Sequence, residues 1–233
     1  MANKEQRMSV SSRSYLLAYN LIQTTGWTFI LMKAVQYVIE GNYGIEVGTP
    51  GLYLKVHKEL KLFQGLACLE IIHSIIGIIR SNVVLTFFQI YSRNIILWGI
   101  IDFVPVSYLE QFIWPLVVLL VWSISEVSRY IYYACMLIGS TPYFIIYLRY
   151  SLFIVLYPVG VFSEQVLLFY ALPIVRATQR WSIFLPNPWN FSFSYYYFVI
   201  SGIIQYLIVF PHLYDRMIHQ RMKVLCKELK KAQ

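Results

Sequence analysis

Tyr157 and Glu164 stand seven positions apart inside an apolar run that extends from about residue 143 to 175. A phenol and a carboxyl group at that spacing can serve as an acid and a base acting on one substrate. Seven residues advance an α-helix by almost two turns, so the two side chains share a face, roughly 10 Å apart along the axis. Pro158 removes a backbone donor and bends the helix beside the tyrosine, and Gly160 leaves room for a ligand to approach the backbone. An ionisable group at membrane depth costs about 2.5–3.5 kcal/mol on insertion scales, which is why such a residue usually marks a function. Two plainer readings stand beside this one. Tyr157 is one of 20 tyrosines, residues that belt membrane interfaces, and Glu164 is also suited to an ion pathway or to pairing with Arg149.

The elements that must position these groups are membrane helices. The chain has 233 residues, 58% of them hydrophobic and only 13% charged, which excludes an ordinary soluble domain. Six runs are long enough to span a bilayer: 15–39, 62–79, 83–101, 112–138, 143–175 and 191–211. The expected fold is an all-α bundle of six transmembrane helices over 15–211, between an N-terminal tail, 1–14, and a basic C-terminal tail, 212–233. The apolar run after the N-terminal tail is too long for a cleaved signal peptide and reads as a first span. Gly139-Ser140-Thr141-Pro142 reads as a tight turn, and Leu185-Pro186-Asn187-Pro188 breaks the chain before the last run. Lys55, Lys58 and Lys61, with Val56, Leu60 and Phe63 elsewhere around the helix, predict a short interfacial helix between the first two spans.

Other charged residues fall within the runs. Glu70 and Glu126 join Glu164, and Lys33, Arg93, Arg129 and Arg149 supply the cations. Buried charges need partners, so a polar cluster is expected inside the bundle. Glu126 with Arg129 and Gln89 with Arg93 sit one helical turn apart, as do Glu70 and His73. Gluing helices together, or orienting a catalytic group, is the expected role of the first four, and Lys33 is expected to snorkel to an interface. Cys68, Cys135 and Cys226 give neither a disulfide framework nor a metal pattern. The stretch from Cys135 to Pro142 partly matches a phosphatase loop but lacks an anion-binding arginine.

The net charge of +8 is better explained by membrane topology than by nucleic acid, since no basic stripe accompanies it. An even number of spans puts both termini on one side. That side carries ten basic residues, Lys4, Arg7, Arg13, Arg80, Arg216, Arg221, Lys223, Lys227, Lys230 and Lys231. The opposite side carries five, Lys55, Lys58, Lys61, Arg176 and Arg180. This bias favours cytosolic termini. The ending Lys230-Lys231-Ala232-Gln233 resembles a dilysine retrieval signal of the endoplasmic reticulum, which is read only on a cytosolic tail. Asn190-Phe191-Ser192 fits a glycosylation sequon expected to stay unused so near a span.

The chain resembles the membrane very-long-chain (3R)-3-hydroxyacyl-CoA dehydratases, also called protein tyrosine phosphatase-like or Pasticcino proteins. The most specific block runs from Leu148 to Glu164 and continues in Tyr170-Ala171-Leu172-Pro173. Supporting blocks are 14–20, 69–73, Gln89 with Arg93, and 122–130. The resemblance implies a six-span enzyme of the endoplasmic reticulum performing the third step of very-long-chain fatty acid elongation. It places the essential tyrosine and glutamate on Tyr157 and Glu164. Long-chain 3-hydroxyacyl-CoA is then the substrate, and the condensing enzyme, the ketoacyl reductase and the enoyl reductase of elongation are the implied partners in the bilayer. No cofactor is called for.

The implied reaction takes a weakly acidic proton from carbon 2 and expels hydroxide from carbon 3. A positioned acid and base each typically contribute about 10²–10⁴-fold to such steps. A carboxylate in dry surroundings is a stronger proton acceptor than in water, so Glu164 is assigned the base and Tyr157 the donor to the leaving hydroxyl, with the reverse assignment open. Arg149 or a backbone N–H near Gly160 is available for the thioester oxygen. Cytosolic termini put Tyr157 and Glu164 about 20 and 30 Å along the fifth span. The CoA phosphates are then expected near Arg149, not near Arg176 and Arg180. Two other functions remain open from sequence: a non-catalytic scaffold or lipid-binding subunit of the elongation complex, and a transporter using Glu164.

Overall fold

The computed structural model describes residues 9–41, 51–79, 81–109 and 111–232. Lys4, Arg7 and Arg80, counted above for topology, lie outside the described residues, as does most of the N-terminal tail. Helix α1, Val10–Ile39, starts at Ser9, whose hydroxyl accepts a hydrogen bond from the Ser12 N–H at 3.1 Å. That cap satisfies one of the orphan donors of a helix start. Helix α2 covers Leu52–Leu66 and α3 covers Leu69–Ile75. Helix α4, Val83–Asn94, is capped by the Asn82 side chain and continues as a π-helical turn through Ile95–Ile101. A short α5, Val106–Leu109, precedes α6, Trp114–Ile138. Then come α7, Tyr143–Ser151, α8, Phe153–Thr178, and α9, Tyr195–Ala232.

The fold is helical, and the described residues hold no strand beyond one antiparallel bridge between Ile183 and Phe193. Among the described residues, four stretches are long and apolar enough to cross a membrane: Val83–Ile101, Trp114–Ile138, Tyr143–Thr178 and Tyr195–Cys226. The first two expected spans differ from expectation. The run 62–79 is divided by a turn at Ala67 and Cys68, so its first part completes α2 and its remainder forms the seven-residue α3. Helix α1 has the length, but Asn20, Gln23, Thr24, Thr25 and Lys33 dilute its apolar character. It also packs centrally. Trp27, Ile30 and Ala34 are fully buried, and α1 lies between α2 and α6.

The lysine-bearing stretch is helical as expected, yet its helix is also tied down by ion pairs. Tyr53, Val56, Leu60 and Gln64 bury one face of α2. Lys61 pairs with Asp102 at 2.5 Å and the Tyr53 hydroxyl donates to the same carboxylate at 2.8 Å, pinning α2 to the end of the π-turn. Partial burial of Asp102 works against its charge, but the hydrogen bonds from Lys61 and Tyr53 prevail and hold its carboxyl below the usual range. The predicted turn after α6 is present, with Gly139 at φ 89°, a left-handed geometry that glycine adopts without strain. From α1 the packing proceeds to α6, from α6 to α8 and from α8 to α9. The last three helices frame the site.

Candidate active site

Tyr157 and Glu164 lie on the same face of α8, as their spacing predicts, and both meet α9. The Tyr157 ring stacks on Phe210, with centroids 5.1 Å apart, and on Tyr214 at 6.3 Å. Its hydroxyl has no hydrogen-bond partner among the described residues. Glu164 is buried, with 8% of its surface exposed, and both oxygens are engaged. Oε1 accepts the indole N–H of Trp122 on α6 at 2.7 Å, and Oε2 accepts the hydroxyl of Tyr206 on α9 at 2.8 Å. The carboxylate is therefore anchored by helices on either side of its own, and the phenol of Tyr157 is not bonded to it directly.

Pro158 acts through the backbone. A proline inside a helix leaves the carbonyl four residues earlier without its usual N–H donor. Here that carbonyl is Ile154's, and the Tyr214 hydroxyl donates to it at 3.3 Å. The same tyrosine thus repairs the defect and stacks on Tyr157. Gly160 has a different role from the one expected. A Cβ added there would stand 3.1 Å from Val121 Cγ1, and the Gly160 carbonyl accepts the Ser163 hydroxyl at 2.9 Å. The space its missing side chain leaves is filled by α6, so it lets α6 and α8 approach closely and opens no path for a ligand.

The expected polar cluster forms around Arg129. Its guanidinium reaches Glu70 at 2.8 and 3.0 Å and Glu126 at 2.5 and 3.0 Å. The Tyr130 hydroxyl donates to Glu70 at 2.5 Å, and Arg93 pairs with Glu126. His73 bonds to the Tyr15 hydroxyl at 2.9 Å, in keeping with a structural role. Charges alternate along Glu70, Arg129, Glu126 and Arg93, which is how such groups are tolerated out of water. The Arg93 guanidinium lies 5.6 Å from the centre of the Trp122 ring, the indole that holds Glu164. The cluster thereby adjoins the site without entering it.

Two of the candidate residues lie elsewhere. Gln89 is exposed and makes no hydrogen bond to Arg93, because the outer face of α4 carries it away from the cluster. Arg149 lines a separate cavity of about 120 Å³ with Tyr132, Tyr133, Tyr150, Phe153, Met217 and Gln220. It neither pairs with Glu164 nor reaches it, since it sits two turns before Tyr157 on the other side of the break at Leu152. No group of His, Cys, Asp and Glu among the described residues is arranged to hold a metal ion.

Trp122, Tyr206, Phe210 and Tyr214 were not singled out as site residues in the sequence. The signal for the last three was an aromatic stripe, since positions 206, 210 and 214 share one helix face at intervals of four. Nothing in the sequence says which helix that stripe meets.

The profile of the family described as protein tyrosine phosphatase-like protein, PTPLA, matches residues 64–227, which include Tyr157, Glu164 and every residue that holds them. The chain is 44% identical to very-long-chain (3R)-3-hydroxyacyl-CoA dehydratase 2 of Homo sapiens, over 91% of this chain and 81% of that protein. It is 40% identical to very-long-chain (3R)-3-hydroxyacyl-CoA dehydratase hpo-8 of Caenorhabditis elegans, over 96% of this chain and 100% of that one. Dehydratase 1 of Mus musculus is 37% identical over 98% of this chain and 79% of its own length. No solved structure matches. With that extent of similarity running through a buried carboxylate and a free phenol on one helix face, the chain belongs to the PTPLA family of very-long-chain (3R)-3-hydroxyacyl-CoA dehydratases.

Proposed function

We infer that this protein dehydrates very-long-chain (3R)-3-hydroxyacyl-CoA to the trans-2-enoyl-CoA, a lyase reaction of fatty acid elongation. The observation that carries the mechanism is the placement of Glu164, a carboxylate in a dry interior with both oxygens oriented by donors. Glu164 takes the proton from carbon 2, and the electron pair of the broken C–H bond becomes the new double bond between carbons 2 and 3. Tyr157 donates its hydroxyl proton to the oxygen leaving carbon 3, which departs as water. The two transfers leave a phenolate and a carboxylic acid, and proton exchange between them, directly or through the released water, resets the site. Neither step calls for a cofactor. Stacking on Phe210 and Tyr214 fixes the Tyr157 ring, which lowers the entropic cost of aiming its hydroxyl.

The substrate enters, on this reading, from the end of the bundle that carries Arg149. The cavity there is lined by a guanidinium, three phenols and an amide, groups suited to the phosphates of CoA. It leads to Phe153, whose ring meets Tyr214 at 5.9 Å, and Tyr214 stacks on Tyr157. The pantetheine arm would follow that aromatic seam, and the acyl tail would continue between helices into the membrane. Cytosolic termini, residence in the endoplasmic reticulum, six membrane passages and association with the other elongation enzymes complete the proposal. The basic bias supports the first.

Purified protein incubated with a long-chain (3R)-3-hydroxyacyl-CoA should release the trans-2-enoyl-CoA. Active-site occupancy without turnover would favour the scaffold reading instead. A substrate-bound structure with the phosphates beside Arg176 and Arg180 would overturn the direction of entry.

A further inference from the structure

We propose that Tyr206 is a positioning residue for the dehydration: its hydroxyl, with the Trp122 indole, clamps the Glu164 carboxylate in the orientation that takes the substrate proton. The proposal rests on the reading of Glu164 as the base.

A glutamate has three torsions, and a base that samples many orientations is seldom aimed at its proton. Glu164 is fixed by one donor per oxygen, Trp122 Nε1 at 2.7 Å and Tyr206 Oη at 2.8 Å, which leaves each oxygen a further lone pair. The donors come from α6 and α9, so the clamp also closes α8 between them. Without it, the carboxylate is open to the pull of Arg93, which stands against Trp122 and acts electrostatically on Glu164. A carboxylate drawn into an ion pair with a guanidinium in a dry interior makes a poor base. Trp122 blocks that path by presenting its N–H to the carboxylate and its ring face to the cation. Tyr206 holds the opposite oxygen and keeps the carboxylate from turning toward Arg93. Neither donor needs to touch the substrate to do this.

The test is saturation kinetics of the purified full chain with a long-chain (3R)-3-hydroxyacyl-CoA, carried out with the ordinary and the 2,2-dideuterated compound. Tyr206→Phe removes one oxygen and preserves the ring. It should lower kcat about 10- to 100-fold while KM changes less than about threefold, the pattern of an interaction that matters in the transition state. The primary isotope effect on kcat should rise, because proton removal from carbon 2 becomes the slow step, and the thermal unfolding midpoint should stay close to that of the wild type. Should Tyr206→Phe fail to fold, Trp122→Phe removes the other donor and must give the same kinetic signature. Unchanged kcat in Tyr206→Phe overturns the proposal. So does a fall in kcat that comes with a lower unfolding midpoint and an unaltered isotope effect, since that is the mark of lost packing. Wild-type protein that leaves the substrate intact overturns the dehydratase reading and the clamp with it, whereas an active wild type beside a fully active Tyr206→Phe overturns the clamp alone.

Discussion

A carboxylate serves as a base only while a lone pair faces the proton it must remove, and burial alone does not ensure that. In the proposed mechanism two donors would keep Glu164 in that orientation, and stacked rings leave the Tyr157 hydroxyl unbonded among the described residues. Tyr157→Phe and Glu164→Gln each delete one proton-transfer group at nearly constant volume. Each is expected to lower dehydration by at least about 100-fold, with yield and unfolding midpoint near those of the wild type. Turnover by either purified variant at close to the normal rate would remove that residue from the mechanism. Geometry at this scale was readable in advance, because a spacing of seven inside one helix puts Tyr157 and Glu164 on a common face. The residues that hold Glu164 were not, since hydrogen bonds across helices leave no mark in linear spacing.

At the scale of the elements, the site depends on how closely α6 approaches α8, and Gly160 sets that approach. A valine there would meet Val121, and overpacking of this kind typically costs about 1–3 kcal/mol. Gly160→Val should lower both the unfolding midpoint and the dehydration rate, by driving Trp122 away from Glu164. Adding Val121→Ala should restore part of each, and a double variant no better than the single would show that this contact is not decisive. A second joint lies outside the spans, where Asp102 ties α2 to the π-turn. Its carboxyl is held below the ordinary carboxylate range, so the joint contributes stability above the unfolded value of about 3.9 and loses it as pH falls through the folded value. Asp102→Asn should therefore lower the unfolding midpoint at pH 7 and make little difference near pH 2. An equal effect at both would dismiss the ion pair.

For the whole molecule, the buried charge cluster ties α3, α4 and α6 together. Arg129→Ala would strand Glu70 and Glu126 without their cation, a loss of about 3–5 kcal/mol for a buried pair. Such a variant should be recovered in much lower yield with a clearly reduced unfolding midpoint. Gln89→Ala, on the exposed side of α4, should stay within about 0.5 kcal/mol of the wild type, and a larger effect would contradict its placement. The direction in which the assembled bundle sits also has a consequence. A tag placed after Gln233 should be digested by protease added to sealed microsomes, and protection of that tag would reverse the proposed orientation.

The sequence by itself determined the helical membrane class, the shared helix face of Tyr157 and Glu164, and the pairing of intramembrane acids with bases. Each follows from local arithmetic: apolar runs of spanning length, a shared helix face at seven residues, and the cost of an unpaired charge out of water. Tertiary structure decided what depends on contacts between distant segments. The run at 62–79 was divided between the end of α2 and the seven-residue α3 by a turn at Ala67 and Cys68, and hydropathy registers no such turn. Gly160 became a packing position because Val121 occupies its free side. Tyr206, Phe210 and Tyr214 became part of the site because α9 lies against α8, and which helix an aromatic stripe meets is settled by packing, through shape and desolvation that no single helix encodes.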